Sequence, residues 1–535
     1  MGKEIKKGQE KIIAGVCKAV DTVKVTLGPA GHCVAVADDF QVSTSRDGAN
    51  ILKTINFEDP ELNMGAELVK KAATNTESES GDSTTTTAIL TKELVLRGQK
   101  AVQTGSNVNE VKSGMLKAGK WMNKYITDHS ILVDGDLEKI RKVATISANN
   151  DPEIGNLIVE CMEKVGENGV ITSELGKGLE TTIDITQGMK LSRGWASPHF
   201  VTSPEEGKCI LDNPYILVCG ERISSVNQII PFIELVTPPN PTKPFLIVCD
   251  EMDENVISTI VYNTISGAIR GCVVKGIDFG DSRKNIMADI AVACGGTYIS
   301  AENNIGMNDV TFEHLGSASK VIVSRDNTII IEGYGDRGEI EARTKILKER
   351  LKAPEMTDYE KTKIESRIAN LSGGVAIIRA GAATEIESKN KKETIEDAIL
   401  ASRSALEEGC LPGCGYVYLM GAKDMMKDKT FLKTLTTDEL EGVKIVEKAL
   451  PGIMKTVIEN CGESVDLTIN TILNSRKENY GFNAKTKKFE NLIDAGILDS
   501  TKAVRVALNN AISTASTILL IDCCVIEEKE NKEKS

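Results

Sequence analysis

Between about residues 188 and 374 the sequence changes texture. Short β-rich runs, Phe245-Leu-Ile-Val-Cys249, Cys272-Val-Val274 and Val321-Ile-Val323, alternate there with helical segments, whereas the patterns on either side are helical. A chain written this way builds a helical body from its two ends and carries an α/β domain inserted between them. Its 535 residues exceed what one ordinary core supports, so two or three domains are expected. The hydrophobic 41% of the chain is spread along it, and no apolar run approaches the roughly 18–20 residues that cross a bilayer.

The helical parts have legible ends. Ile12, Val16, Val20, Val23 and Leu27 form an apolar stripe at helical spacing that stops at Gly28-Pro29. A second helix starts after Gly81-Asp82-Ser83, with Asp82 or Ser83 as its cap. Two charged helical stretches flank Ala353-Pro354, and the second opens with the capping box Thr357-Asp-Tyr-Glu360, which predicts a helical hairpin. Beyond Gly373-Gly374 come a strand over Val375–Arg379 and a helix whose buried side holds Ile395, Ala398, Ile399, Ser402 and Leu406. That placement turns Asp397 away from the core. The end, Glu527 to Ser535, reads as a charged, disordered tail.

Several function classes are disfavoured by composition. A net charge of −13 is the wrong sign for a nucleic-acid footprint. Thirteen scattered cysteines without a CxxC pair, beside four histidines, fit neither a disulfide scaffold nor a zinc site and point to a reducing compartment. The N-terminal Met1-Gly-Lys-Glu-Ile-Lys6 has no export or import signature, and Lys6 stands where a myristoylation motif needs Ser or Thr. A cytoplasmic protein without a membrane partner is expected.

No GxxxxGK[ST] segment is present, so a nucleotide would need a different cradle. Asp82-Ser-Thr-Thr-Thr86 offers one: backbone N–H groups at a helix start favour an anion, hydroxyls add donors, and the carboxylate could take Mg²⁺. Such runs also serve simply as caps. Thr26-Leu-Gly-Pro29 lets backbone approach a ligand, or merely ends a helix. Asp47 and Asp397 are acids of the kind that align water or hold a metal, and equally of the kind that sit solvated. The cysteines at 410, 414, 523 and 524 read as small core residues. Trp195, Phe200, Ile230, Ile233, Ile257, Val261 and Tyr262 read as core of the inserted domain.

Taken together, and in order, Val25-Thr-Leu-Gly-Pro29, Arg46-Asp-Gly48, Gly81-Asp-Ser-Thr-Thr-Thr86, Thr145-Ile-Ser-Ala-Asn149, Gly373-Gly-Val-Ala376, Gly381-Ala-Ala-Thr-Glu385, Glu396-Asp-Ala398 and Asp494-Ala-Gly-Ile-Leu-Asp499 resemble the group I chaperonins. The likeness runs from about residue 8 to 526. It implies the chaperonin fold: a mainly helical equatorial domain (1–129 and 409–526), a small intermediate domain (130–187 and 375–408) and an inserted α/β apical domain (188–374), with hinges near Gly188 and Gly374.

The resemblance also implies roles. Thr26, Leu27, Gly28, Pro29, Arg46, Ser83, Thr84, Thr85, Thr86 and Cys414 would line ATP, with Asn483, Ala484, Lys485 and Asp499 at its adenosine end. Asp82 would ligate Mg²⁺, with K⁺ a second candidate cation. Asp47 would position the attacking water and Asp397 would act as the hydrolytic acid. Trp195, His199, Phe200, Ile230, Ile233, Ile257, Val261 and Tyr262 would form the groove for non-native clients. Stacked seven-subunit rings and a co-chaperonin of the 10-kDa family would be the assembly.

The chain departs from that pattern at several places. Ser83 and Cys414 stand where the family has Gly, Arg46 where it has Lys, Lys485 where it has a small residue and His199 where it has an aromatic. A left-handed backbone at Ser83 would cost roughly 1–2 kcal/mol. An ATP-driven foldase is the leading expectation, and a diverged holdase or scaffold with weak or absent ATPase is its alternative.

Overall fold

The computed structural model describes residues 3–527, apart from 8, 39–40, 134, 167–168, 177, 205, 238–242, 278–279, 304 and 352–357. The charged tail beyond Glu527, the Ala353-Pro354 turn and the start of its capping box therefore lie outside the described residues. Two compact units are present. One comprises 1–159, 175–181 and 380–535, and the other 160–174 and 182–379.

The first unit is helical. Its N-terminal part contains α1 (Glu10–Val23), α2 (Gly48–Thr54), α3 (Pro60–Ser80), α4 (Thr84–Gln103), α5 (Val108–Asp128) and α6 (Leu137–Ser147). Ile12, Val16, Val20 and Val23 of α1 are fully buried, as their spacing predicts. The α-helix stops short of Leu27, however. A 3-10 turn, Lys24–Thr26, follows Val23, and Leu27 is already extended before the left-handed Gly28 (φ +84°). Asn460 accommodates this end: its side-chain amide donates to the carbonyls of Lys24 (3.0 Å) and Leu27 (2.9 Å).

The C-terminal part returns to the same core. The Glu385–Glu408 helix packs on α6, and the Thr501–Leu519 helix packs on α3, α4 and α5. The Thr501–Leu519 helix joins α1 to α5 in one continuous hydrophobic cluster. Strand Cys410–Pro412 pairs antiparallel with Leu498–Ser500, and Tyr480–Asn483 forms a hairpin with Lys488–Asn491. Asn483 and Asp499 lie in these short strands, and Cys414 lies in the turn that follows Cys410–Pro412.

The second unit is the α/β domain that the texture change predicts. Its sheet runs, in order, Val170–Leu175, Gly374–Ala380, Thr182–Leu191, Thr328–Gly333, Gly316–Val323, Tyr215–Ile223, Phe245–Met252 and Gly271–Lys275. The last three strands are parallel, with crossover helices Val226–Val236 and Glu254–Ile265. Gly188 and Gly374 both lie inside paired strands, opposite Ile331 and Gln187. Among the described residues, no helix is long and apolar enough to cross a membrane.

Candidate functional site

A cavity of about 400 Å³ opens within the first unit. Its walls contain Thr26, Leu27, Gly28 and Pro29 from the end of α1, Arg46 and Asp47 before α2, and Asp82, Ser83, Thr84, Thr85 and Thr86 at the start of α4. Asp397, Cys414, Asn483, Ala484, Lys485 and Asp499 complete them. Every residue that the sequence associates with nucleotide is thus brought to one cavity, from seven separate stretches of chain.

The start of α4 is unusual. Ser83 has a left-handed backbone (φ +69°), and neither its hydroxyl nor the Asp82 carboxylate caps the helix. This corrects the expected cap: the left-handed turn carries the hydroxyl off the helix axis, and the Asp82 carboxylate instead accepts the N–H of Ser83. The first-turn N–H groups of a 20-residue helix are left facing a cavity, the arrangement that suits an anion. Cys414 (φ +60°), Asn149 (φ +54°) and Asn150 (φ +65°) are further left-handed non-glycine residues on the wall. Replacing Ser83 by Gly relieves about 1–2 kcal/mol of backbone strain, offset in part by the freer unfolded chain. A net gain of roughly 0.5–1 kcal/mol is expected, read as a higher urea midpoint.

Asp47 caps α2, its two carboxylate oxygens accepting the N–H groups of Ala49 and Asn50 at 3.0 Å each. Gly48 brings α2 against α4, because the Thr85 side chain fills the space its Cβ would take. Arg46 donates through Nη2 to the Gly28 carbonyl (3.3 Å), while its buried Nε has no partner. Asp397 stands on the side of the Glu385–Glu408 helix opposite the buried stripe of Ser388, Lys392, Ile395, Ile399 and Ser402, as the spacing predicts, and what it meets there is the cavity.

Five acids around the cavity have raised pKa values, Glu77 by burial among them. Burial pushes Asp397 well above the usual carboxylate range, helped by the negative fields of Asp47, Asp82 and Glu77. Burial raises Asp82 against the pull of the Ser83 N–H. Burial and Asp82 lift Asp499 to about 7. Burial also raises Glu393, with Asp47 adding to it. Crowded, desolvated acids beside an uncapped helix and an orphaned guanidinium N–H form a site with charge of both signs left to satisfy. Among the described residues no group of three His, Cys, Asp or Glu is placed to hold a metal ion. The Asp82 carboxylate beside the hydroxyls of Thr84, Thr85 and Thr86 is the kind of donor set that fits Mg²⁺, which one or two carboxylates hold together with phosphate oxygens and water.

The Asp499 shift has a measurable consequence in the nucleotide-free protein. The folded carboxyl keeps its proton up to about pH 7, whereas the unfolded one releases it near pH 4. Stability is therefore lost as pH rises from about 4 through 7, then levels off. Asp499→Asn is expected to match the parent near pH 4 and to exceed it at pH 8 by of the order of 3 kcal/mol in denaturant melts.

Sequence reasoning missed Glu77 and Glu393, which also line the cavity. Glu393 lies one helical turn before Asp397, and that i, i+4 spacing was the available signal.

In the second unit the apolar positions divide. Tyr262 is 73% exposed and Ile230 40%; His199 is exposed, and Trp195 and Ile233 are half-buried. Phe200, Ile257 and Val261 are buried in the core of that unit. For these three the groove expectation is corrected. Ile257 and Val261 lie on the inward stripe of the Glu254–Ile265 helix with Val256 and Ile260, and the outward stripe carries Tyr262 and Ile265, the latter 67% exposed. Of the cysteines read as core, Cys410 and Cys524 are buried, Cys523 is exposed and Cys414 lines the cavity.

The chain matches the TCP-1/cpn60 chaperonin family over residues 20–230 and 242–529. It is 41% identical over 524 residues to the chaperonin GroEL of Methanospirillum hungatei, covering 98% of this chain and 96% of that one. Its fold resembles two crystal forms of the chaperonin gp146 from the bacteriophage EL 2 (Pseudomonas aeruginosa), both in the presence of ATP-BeFx. The TM-scores are 0.72 and 0.64 at 20% and 21% identity, over 98% of this chain and 99% of gp146. At that identity the likeness bears on fold alone. The chain belongs to the TCP-1/cpn60 chaperonin family and is a group I chaperonin, an ATPase whose family role is ATP-dependent protein folding.

Proposed function

We propose that the cavity of the first unit is the ATP site of this chaperonin and that Asp397 and Asp47 carry out hydrolysis there. The reading rests on one observation: Asp47, Asp82 and Asp397 converge on a cavity that also receives the uncapped N-terminus of α4. The phosphates would lie against Thr84, Thr85, Thr86 and the Gly28 loop, with Arg46 donating to them. Asp82 would hold Mg²⁺, which when bound supplies charge neutralisation for phosphoryl transfer, and K⁺ is a second candidate cation. Asp47, fixed by two backbone N–H groups, orients the attacking water. Asp397, whose raised pKa makes it the stronger base, accepts the proton that water gives up. Asn483, Ala484, Lys485 and Asp499 would meet the adenosine end.

We assign 1–129 and 409–526 to an equatorial domain, 130–187 and 375–408 to an intermediate domain and 188–374 to an apical domain. The exposed Ile230 and Tyr262, with Trp195, His199 and Ile233 beside them, fit a surface that captures non-native chains without regard to sequence. Stacked seven-membered rings, a 10-kDa co-chaperonin and a cytoplasmic setting complete the proposal, the last supported by thirteen free thiols. A holdase that does not cycle is the second reading, favoured by the strain at Ser83 and Cys414 beside the cavity. Steady-state MgATP hydrolysis by the purified assembly, with particle mass recorded on the same sample, separates the two. Turnover from a ring-sized particle supports the first reading, and an intact ring without turnover the second.

A further inference from the structure

Asn50 joins one of the acids assigned to hydrolysis, Asp47, to the helix that carries the other. Its backbone N–H donates to Asp47 Oδ2 (3.0 Å), and its side-chain Nδ2 donates to Glu393 Oε2 (2.9 Å). Glu393 stands four residues before Asp397 on the Glu385–Glu408 helix, on the same face, and both line the cavity. The far end of that helix is held separately: Ser404 Oγ donates to the Ser80 carbonyl (2.9 Å) and Arg505 Nε to Glu408 Oε2 (3.0 Å). Asp397 stands at the middle of that helix, one turn beyond the residue tied to α2 by Asn50.

We infer that Asn50 and Glu393 form a positioning pair for hydrolysis, a hydrogen bond that holds the Asp397 carboxyl in register with the Asp47 carboxylate across the cavity. Neither residue touches the reacting atoms. α2 begins at the water-orienting acid, so a side-chain bond one turn into it reports the position of the base-bearing helix directly to that acid. Glu393 is itself part-buried, and a carboxylate acceptor in a poorly solvated place makes a charge-assisted bond stronger than a neutral one. Loss of the bond frees the helix by only a fraction of an ångström, yet displacement of a reacting group on that scale is enough to slow an aligned reaction. The inference rests on the assignment of Asp47 and Asp397 made above.

The test uses the full-length assembly and the variants Asn50→Ala, Glu393→Ala, their combination, and Glu393→Gln, which keeps an oxygen acceptor. Single-turnover ATP hydrolysis is expected to slow about tenfold in either alanine variant and no further in the double variant. Glu393→Gln is expected to restore most of the rate, with ADP affinity equal in all. Additive losses, unchanged rates, or affinity falling in step with rate would each overturn the pairing. Amide hydrogen exchange over residues 385–408 of the nucleotide-free assembly is the second readout. It should quicken in Asn50→Ala and in Glu393→Ala but not in Glu393→Gln. If the parent hydrolyses no ATP, the functional assignment fails while the exchange arm still decides the pair: equal exchange in parent and Asn50→Ala removes it.

Discussion

Replacing Asp397 by alanine is expected to lower steady-state ATP hydrolysis about 100-fold or more while leaving nucleotide affinity nearly unchanged. Asp397 meets the cavity from the Glu385–Glu408 helix, whereas the groups suited to phosphate, the start of α4 and the Gly28 loop, lie on other elements. Removing it deletes a proton acceptor and little of the binding surface. The loss cannot be assigned to unfolding on electrostatic grounds. A carboxyl whose folded pKa is raised above its unfolded value weighs against folding once pH exceeds the unfolded value. Its removal therefore leaves the folded state at neutral pH no worse off in charge. ADP calorimetry and turnover on the same preparation check both halves of the expectation. Full turnover in the variant would place the base elsewhere, with Glu393 the next acid on that face.

What the sequence could and could not disclose follows from the range of the forces involved. The α1 stripe and the start of α4 are local, set by 3.6-residue periodicity and by Gly-Pro and Gly-Asp-Ser punctuation; α1 ends at Val23, four residues before the last of its stripe, Leu27, but the start of α4 was legible within a residue or two. The uncapped state of α4 was not, because Asp82 and Ser83 are both ordinary capping residues, and only the left-handed turn at Ser83 takes the hydroxyl off the axis. Asp397 points away from the stripe of Ser388, Lys392, Ile395, Ile399 and Ser402, as its spacing implies, but that it meets a cavity there and not open solvent depends on the distant segments around Asp47 and Asp82, which no local pattern records. Ile257 and Val261 illustrate the converse. Family likeness carries a position over but not its rotation by 100° on a helix, and the outward residues proved to be Tyr262 and Ile265. Charge pairs between distant segments leave no local signature at all.

The largest such pair predicts the second effect. In the second unit Asp289 is 2% exposed and takes the guanidinium of Arg367 through two bonds, Nε to Oδ2 at 2.6 Å and Nη2 to Oδ1 at 3.0 Å, while Arg343 Nε also donates to Oδ1. One carboxylate thus ties together the helices Gly280–Cys294, Arg337–Leu351 and Asp358–Ser372. Asp289→Ala leaves the 7%-exposed Arg367 as a buried charge without its counter-ion. A loss of about 3–5 kcal/mol is expected, against the 0–1 kcal/mol typical of surface pairs. Arg343→Ala should cost less, because its side chain is 30% exposed and its removal leaves Asp289 still paired. Replacing Asp289 and Arg367 together by Leu and Met should recover much of the deficit, since the penalty in the single variant is the stranded charge and not the missing attraction. Denaturant melts followed by hydrogen exchange over 280–372 read the effect in the unit where it arises. An Asp289→Ala midpoint equal to that of the parent would mean that water reaches Arg367 freely and that the three helices are held by their apolar contacts alone.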